Sequence, residues 1–212
     1  MPDFTADSNI IYDGIDVSNY QGNIDFTQVR SSGIEAVYIK AGESGDMTDP
    51  FFLQNYERAS AADMIVGFYY YVTAFTTAEA AEQAQHFYEL IRDKNFSARP
   101  AMDYESFSNP DIAAINAIGL TFLQELERLS GIRPMIYSDA SDAQTIWSDD
   151  FSIYPLWIAD YYSTDGPAGN DIWEHWTGFQ YSDTGSVPGI SGDVDMDYFT
   201  DSILVPALRT DS

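Results

Sequence analysis

The sequence predicts an α/β fold, namely a shortened (β/α) TIM-like barrel with about eight strands and with helices missing on its C-terminal side. Strand-like and helix-like segments alternate along the chain, which is typical of a mostly parallel sheet buried on both faces. The chain has 212 residues, fewer than the roughly 250 of a complete eight-helix barrel. The loops at 163–170 and 182–191 are too polar and glycine-rich for long helices. We expect one domain over residues 1–212, with its core at about 10–204.

The strand candidates are short runs, several of them rich in β-branched and aromatic residues, separated by helical or glycine-rich segments. Met64–Val72 (MIVGFYYYV) shows this composition most clearly. In chain order the predicted strands are Ile10–Val17, Ile34–Ile39, Met64–Val72, Pro100–Tyr104, Arg133–Tyr137, Pro155–Ala159, Thr177–Tyr181 and Gly192–Met196. Eight strands favour a closed barrel over an open sheet.

The helix candidates occupy the connections between the earlier strands. Thr76–Asp93 opens on Thr76 followed three residues later by Glu79, which is a capping-box signal. Pro110–Leu129 carries a broad apolar stripe at helical spacing. Shorter helices are predicted over Asp49–Ala62 and Ser138–Trp147.

Charge and composition exclude several classes of protein. The chain has 9 basic and 34 acidic side chains and a net charge of −25, so it is unsuited to nucleic acid or an anionic membrane. The absence of cysteine excludes disulfides and thiol catalysis, and two histidines, His86 and His175, cannot form a three-histidine metal site. The apolar runs are too short to span a membrane. We expect no cofactor and no metal.

Several acidic residues fall at or just past the C-terminal ends of predicted strands, where barrels of this kind carry their active sites. They are Asp16, Asp103, Glu105, Asp160 and Asp195. On an extended strand, residues two apart point to the same face with Cα atoms roughly 6.5–7 Å apart. Asp103 and Glu105 should therefore enter one cleft, at a spacing suited to cleavage of a glycosidic bond.

A longer set of motifs carries a family resemblance. The stretch Asp13–Gly22 (DGIDVSNYQG) resembles the opening of glycoside hydrolase family 25, the lysozymes of phage endolysins, bacterial autolysins and some fungi. The resemblance runs in family order over residues 12 to 200, through the blocks Tyr38–Glu43, Gly67–Tyr71, Met102–Glu105, Pro134–Ser138, Leu156–Ala159, Phe179–Ser182, Val187–Ile190 and Asp193–Asp195. It implies a shortened β/α barrel with a deep acidic groove, and the single domain would be catalytic.

The resemblance assigns roles to particular residues. Glu105 matches the family's general acid/base, and Asp103 matches the carboxylate that positions the substrate's 2-acetamido group. Asp16 and Asp195 match two further carboxylates of the cleft. Together with the aromatic residues that end strands on the same rim, the predicted substrate-binding residues are Asp16, Asp195, Tyr69, Tyr70, Tyr137, Trp157, Asp160 and Tyr181.

The implied substrate is the peptidoglycan glycan strand, cut at the β-1,4 bond between N-acetylmuramic acid and N-acetylglucosamine. The implied mechanism retains anomeric configuration and uses the 2-acetamido group as nucleophile. We expect a monomer that acts extracellularly on the cell wall. The N-terminus lacks the features of a signal peptide, so we expect a phage-delivered, non-classically exported or mature form.

Departures from the family pattern and two alternatives accompany this prediction. Family members commonly carry His where Tyr70 stands and Trp where Phe179 stands. One alternative is a non-catalytic wall-binding protein on the same barrel. The other is a chitinase-like hydrolase, although the longer acidic run typical of family-18 chitinases is missing before Glu105. Asp193, Asp195 and Asp197 are spaced like the start of a calcium loop, but Leu204 at its twelfth position excludes an EF-hand.

Overall fold

The computed structural model describes residues 4–107, 111–163 and 166–205. Eight strands form a closed barrel, as predicted. They are β1 (Ile11–Val17), β2 (Ala36–Glu43), β3 (Ile65–Tyr71), β4 (Ala101–Asp103), β5 (Met135–Asp139), β6 (Leu156–Ala159), β7 (Gly178–Gly185) and β8 (Val194–Thr200). Each of the eight predicted strands overlaps one of these, although several extend further than the apolar runs suggested.

The barrel is parallel except at its last strand. Strands β1 to β7 pair in sequence order and in parallel, whereas β8 lies antiparallel to both β7 and β1 and closes the barrel between them. The start of β8 therefore lies on the same rim as the ends of the other strands. Asp195 was expected at the C-terminal end of a strand. It lies instead at the beginning of β8, which is at the same rim because that strand runs in the opposite direction.

Within the described residues, five α-helices cover the barrel: α1 (Phe26–Ser31), α2 (Phe52–Ala61), α3 (Thr77–Ile91), α4 (Ile112–Ser130) and α5 (Ala140–Thr145). The predicted cap of α3 is present, since the Thr76 hydroxyl accepts from the Glu79 amide and the Glu79 carboxylate accepts from the Phe75 amide. Helix α1, capped by Asp25, was not predicted. Pro110, the expected start of α4, lies outside the described residues. In the described part of the chain no α-helix follows Thr145, which confirms that helices are missing on the C-terminal side.

Strand alternation separates two apolar cores. The outward side chains of the barrel pack against the helices, with Phe87 of α3 and Phe122 of α4 fully buried. Inside the barrel, the ring centroid of Tyr38 lies 5.0 Å from that of Trp157 and 4.9 Å from that of Phe199. This aromatic layer fills the interior, so that any cleft must lie above it at the rim.

The opposite end of the barrel is closed by the N-terminal segment. Thr5–Ala6 pairs in parallel with His175–Trp176, and the Asp7 carboxylate accepts from the hydroxyls of Thr177 and Thr200 at 2.6 Å each. His175 therefore lies away from the functional rim. Within the described residues, no helix combines the length and the apolar character that crossing a membrane requires.

Candidate active site

A cleft of about 430 Å³ opens at the rim formed by the ends of the parallel strands and the start of β8. The residues that give it its chemical character are Asp16, Lys40, Glu43, Tyr69, Tyr71, Asp103, Glu105, Tyr137, Trp157, Tyr161, Gln180 and Asp195. Among the described residues that line it, Lys40 is the only basic side chain. The cleft is therefore an acidic and aromatic groove, the kind of site that binds neutral sugars by hydrogen bonding and ring stacking.

Asp103 and Glu105 enter the cleft together, as their spacing predicted. Asp103 is the last residue of β4 and is buried, whereas Glu105 lies two residues on and reaches solvent. Burial raises the pKa of Glu105, and the charges of Asp142 and Asp139 raise it further. Burial and then the Glu105 charge raise the pKa of Asp103 well above its ordinary value. A carboxyl group with a raised pKa, beside a second carboxyl, suits general-acid catalysis.

Lys40 opposes these shifts from β2, which is separated from β4 by β3. Its charge lowers the pKa of both Asp103 and Glu105. The Lys40 Nζ atom lies 2.6 Å from Glu43 Oε2 and 5.0 Å from the ring centroid of Tyr71. The Tyr71 hydroxyl in turn donates to Ser106, just past Glu105. Lys40 is thus held in place by an ion pair and an aromatic face while it acts on the catalytic candidates.

A second group of carboxyls lies across the cleft, where β1 meets β8. Asp195 pairs in register with Asp16, and the Asp197 carboxylate below them accepts from the Trp157 indole N–H at 2.8 Å. Burial and the charges of Asp197 and Asp195 raise the pKa of Asp16 well above its ordinary value. Burial and the Asp183 charge raise the pKa of Asp195 to about 6. The pKa values of these carboxyl groups are all raised, and when the groups ionise they make this wall of the cleft strongly anionic.

Aromatic rings form the floor and one wall. Trp157 is almost fully buried, with the ring centroids of Tyr137 and Tyr69 at 5.1 Å and 6.3 Å from its own. Tyr69, Tyr137 and Trp157 therefore lie in the cleft, as predicted. Tyr161, from the loop after β6, joins them at the rim.

Tyr70 does not lie in the cleft, contrary to the prediction. Alternation along β3 places Tyr69 and Tyr71 inside the barrel and Tyr70 outside, where it is fully buried. Its ring centroid lies 5.3 Å from that of Phe87, and its hydroxyl is hydrogen-bonded to His86 Nδ1 at 2.9 Å. The departure from the family pattern at this position therefore affects packing between the barrel and α3, and not the cleft.

Tyr181 and Asp160 also lie outside the cleft, against expectation. Alternation along β7 places Gln180 inside and Tyr181 outside, where its ring stacks on that of Tyr198 with centroids 4.5 Å apart. The Asp160 carboxylate accepts from the backbone amides of Tyr162 and Ala168, so it shapes the loop after β6. Asp160 does lie just past the end of β6, as the sequence indicated. Because Ala159 points into the barrel, Asp160, the next residue, points outward.

Several residues of the site were not predicted, namely Glu43, Tyr71, Tyr161, Gln180 and Asp197. Strand alternation would have found three of them, because Tyr71 and Asp197 each lie two residues from a predicted cleft residue, and Gln180 lies two residues from Gly178, the register partner of Trp157. Tyr161 lies in a loop, and no periodicity places a loop residue. Among the described residues, no group of histidines and carboxylates is arranged to hold a metal ion.

An eight-stranded β/α barrel with a carboxyl pair at the rim of an aromatic cleft has the features of a glycoside hydrolase active site. The sequence model of the glycosyl hydrolases family 25 matches residues 15–190 of this chain. The chain therefore belongs to glycosyl hydrolase family 25.

Known relatives agree with this membership. The chain is 35% identical over 192 residues to "Autolytic lysozyme" of Clostridium acetobutylicum, an alignment that covers 91% of this chain and 57% of that protein. It is 32% identical to "Lysozyme M1" of Streptomyces globisporus, covering 89% of this chain and 68% of the relative. The crystal structure of the bacterial lysozyme of Streptomyces coelicolor superimposes with a TM-score of 0.76 at 26% identity, covering 93% and 96% of the two chains.

Proposed function

We propose that this chain is a peptidoglycan hydrolase that cleaves the β-1,4 bond between N-acetylmuramic acid and N-acetylglucosamine. The observation that carries the proposal is the Asp103 and Glu105 pair, held two residues apart in an acidic, aromatic-lined cleft. Family membership supports it, as does the name of a 30% identical relative, "N,O-diacetylmuramidase" of Chalaropsis sp, of which the alignment covers 95%. Since peptidoglycan lies outside the cytoplasmic membrane, the enzyme would act there.

In the first step Glu105 gives its proton to the glycosidic oxygen as the bond from that oxygen to the anomeric carbon breaks. The carbonyl oxygen of the 2-acetamido group attacks the same carbon and forms an oxazolinium ring, so the enzyme needs no nucleophile of its own. The raised pKa of Glu105 favours the protonated form that this step requires. Two inversions, by the acetamido group and then by water, retain the anomeric configuration.

In the second step water attacks the anomeric carbon, the oxazolinium ring opens, and Glu105 takes the proton from the water. Asp103 is buried beside Glu105 and its Oδ1 atom has no hydrogen-bond partner among the described residues. The carboxyl group of Asp103 lines the cleft beside Glu105, and we propose that it accepts the N–H of the acetamido group and so orients the carbonyl oxygen for attack. Asp103 thus supplies positioning, and Glu105 supplies the proton transfers.

The test is digestion of purified peptidoglycan, followed by borohydride reduction and identification of the new reducing ends. We expect reduced muramic acid from the wild type and none from folded Glu105→Gln. Glu57→Gln is the matched control, because Glu57 is exposed on α2 and far from the cleft. Asp103→Asn should lower turnover strongly while leaving the general acid present.

Four outcomes would overturn the proposal. Reduced glucosamine in place of reduced muramic acid would redirect the assignment to a glucosaminidase. Full turnover by Glu105→Gln would remove the acid/base role from that residue. Release from chitin but from no peptidoglycan would favour the chitinase-like alternative, and release from neither polymer would favour a wall-binding protein.

A further inference from the structure

Gln180 connects the two sides of the cleft through its side-chain amide. It lies in the middle of β7 on the inward face and is buried, with 4% of its surface exposed. Its Oε1 atom accepts from the Tyr137 hydroxyl at 2.9 Å and from the Tyr161 hydroxyl at 2.6 Å. Its Nε2 atom donates to Asp16 Oδ2 at 2.6 Å. One side chain thereby contacts groups from β1, β5 and the loop after β6.

The chemistry of these contacts requires an amide. The carbonyl oxygen has two lone pairs, and the two phenols occupy both. Their bonds fix the orientation of the amide, so the NH₂ group must face Asp16. An ionised glutamate at this position would accept from the phenols but repel Asp16, and a methionine would do neither. Because Tyr137 and Tyr161 donate their hydroxyl protons to Gln180, their oxygen atoms present only lone pairs to the cleft.

The bond from Gln180 counteracts a crowded environment around Asp16. The titratable groups that face Asp16 from the packed elements are Asp195 and Asp197 of β8, Asp103 of β4, Tyr69 of β3, Tyr137 of β5, and Tyr161. Burial and the neighbouring carboxylates favour protonated Asp16, whereas the Gln180 hydrogen bond favours the ionised form. Without that donor, Asp16 would ionise at a higher pH and would be free to turn toward Asp195.

We propose that Gln180 is a positioning residue that fixes the Asp16 carboxylate and the phenols of Tyr137 and Tyr161 in the geometry that catalysis uses. This inference rests on the proposed function, because it concerns the same cleft. Gln180 does not touch the reacting atoms. It acts by holding two walls of the site in register, and a shift of about 1 Å in such groups is enough to lower turnover by about 100-fold.

The test compares Gln180→Glu and Gln180→Met with the wild type in pH–rate profiles on peptidoglycan. Gln180→Met should lower kcat by about 100-fold at every pH, with a smaller change in KM. Gln180→Glu should retain activity only where the new carboxyl is protonated, since its O–H then donates to Asp16 as the amide did. Its alkaline limb should therefore move down by at least about one pH unit. This rescue at acid pH is an effect that a merely structural role of Gln180 would not produce.

Gln83→Met is the matched control, because Gln83 is also a buried, hydrogen-bonded glutamine but contacts Thr73 outside the cleft. We expect it to lose stability without any change in the pH profile. The proposal would be overturned if both Gln180 variants had the same pH–rate profile and the same kcat as the wild type. An equal change in the Gln83 variant would overturn it as well.

A second measurement needs no substrate and keeps this inference separate from the proposed function. The stability difference between wild type and Gln180→Met is measured by urea unfolding from about pH 4 to about pH 9. Loss of the donor raises the pKa of Asp16 in the folded state, so the variant should lose more stability as pH rises and Asp16 ionises. A difference that stays constant with pH would refute the positioning of Asp16, whatever the wild type does to peptidoglycan.

Discussion

Gly178 leaves the space that Trp157 needs beneath the cleft, and Gly178→Ala tests whether that packing controls the site. A Cβ atom at residue 178 would lie 2.7 Å from Trp157 Cδ1, 2.8 Å from Trp157 Cγ and 3.0 Å from Phe199 Cε1. Carbon atoms in contact normally stay about 3.5–4.0 Å apart. The indole ring would have to move by most of an ångström, within a barrel interior that is already filled.

The magnitude follows from overpacking. Forcing one methyl group into a filled core costs about 1–3 kcal/mol, because side chains leave their rotamers and the backbone shifts. For a chain of this size each kcal/mol lowers Tm by about 2–4 °C, so we expect a loss of roughly 2–12 °C. The effect should extend to turnover, since Trp157 both forms the cleft floor and donates to Asp197 at 2.8 Å. If the Trp157 indole ring is displaced by about 1 Å, we expect kcat to fall roughly 10- to 100-fold.

The assay is thermal unfolding together with turnover for Gly178→Ala, Trp157→Phe and the double variant. Phenylalanine is smaller and leaves room for the new methyl group, so the double variant should be more stable than the sum of the single losses predicts. It should not recover full activity, because phenylalanine cannot donate to Asp197. Strict additivity, or a Gly178→Ala protein within about 0.5 kcal/mol of wild type, would show that Gly178 does not control the packing of Trp157.

Two further predictions follow from the charges of the cleft. Lys40→Met should raise the pKa of both Asp103 and Glu105 and move both limbs of the pH–rate profile upward by up to about one unit, whereas Lys94→Met, outside the cleft, should leave the profile in place. The wild type should be most stable in mild acid. With the pKa of Asp195 raised to about 6, its contribution is complete below pH 4 and is lost as pH rises through 6, by about 1–2 kcal/mol after allowance for partial exposure. Urea unfolding at several pH values measures this, and a stability that increases from about pH 5 to about pH 7 would contradict it.

The barrel could be predicted from the sequence because its strands are short apolar runs between strong helix signals. The direction of β8 could not be predicted in this way. A crossover helix marks a parallel neighbour, and the predicted connection between β7 and β8, residues 182–191, contains no helix. Its ten residues are fewer than the dozen or more that a parallel crossover needs, so loop length, and not the strand pattern, carried the signal for an antiparallel β8. The sequence therefore placed Asp195 at the correct rim for the wrong reason. Pairing of Asp195 with Asp16 is a property of the closed barrel and has no local signal.

The errors at Tyr70 and Tyr181 have a common cause. Tyr69 and Tyr70 are adjacent on one strand, and adjacent strand residues point to opposite faces, so both could not enter one cleft. The same rule, applied from Asp103 outward through the parallel register, selects Tyr137 and, on β7, Gln180 rather than Tyr181. Motif resemblance identifies conspicuous side chains, whereas alternation decides which of them face the substrate.

The acid strength of the site is a consequence of how the barrel interior is packed. Tyr38, Trp157 and Phe199 pack in the interior below the rim, and burial above this layer desolvates Asp103, Asp16 and Asp197. Lys40 is already paired with Glu43, and it offsets only part of the resulting rise in pKa. The raised pKa values favour the protonated carboxyls, which is what a general acid requires, at the cost of fold stability when those protons leave. It follows that substitutions of Tyr38 or Phe199, which lie below the cleft and do not line it, should change the pH dependence of turnover as well as its rate.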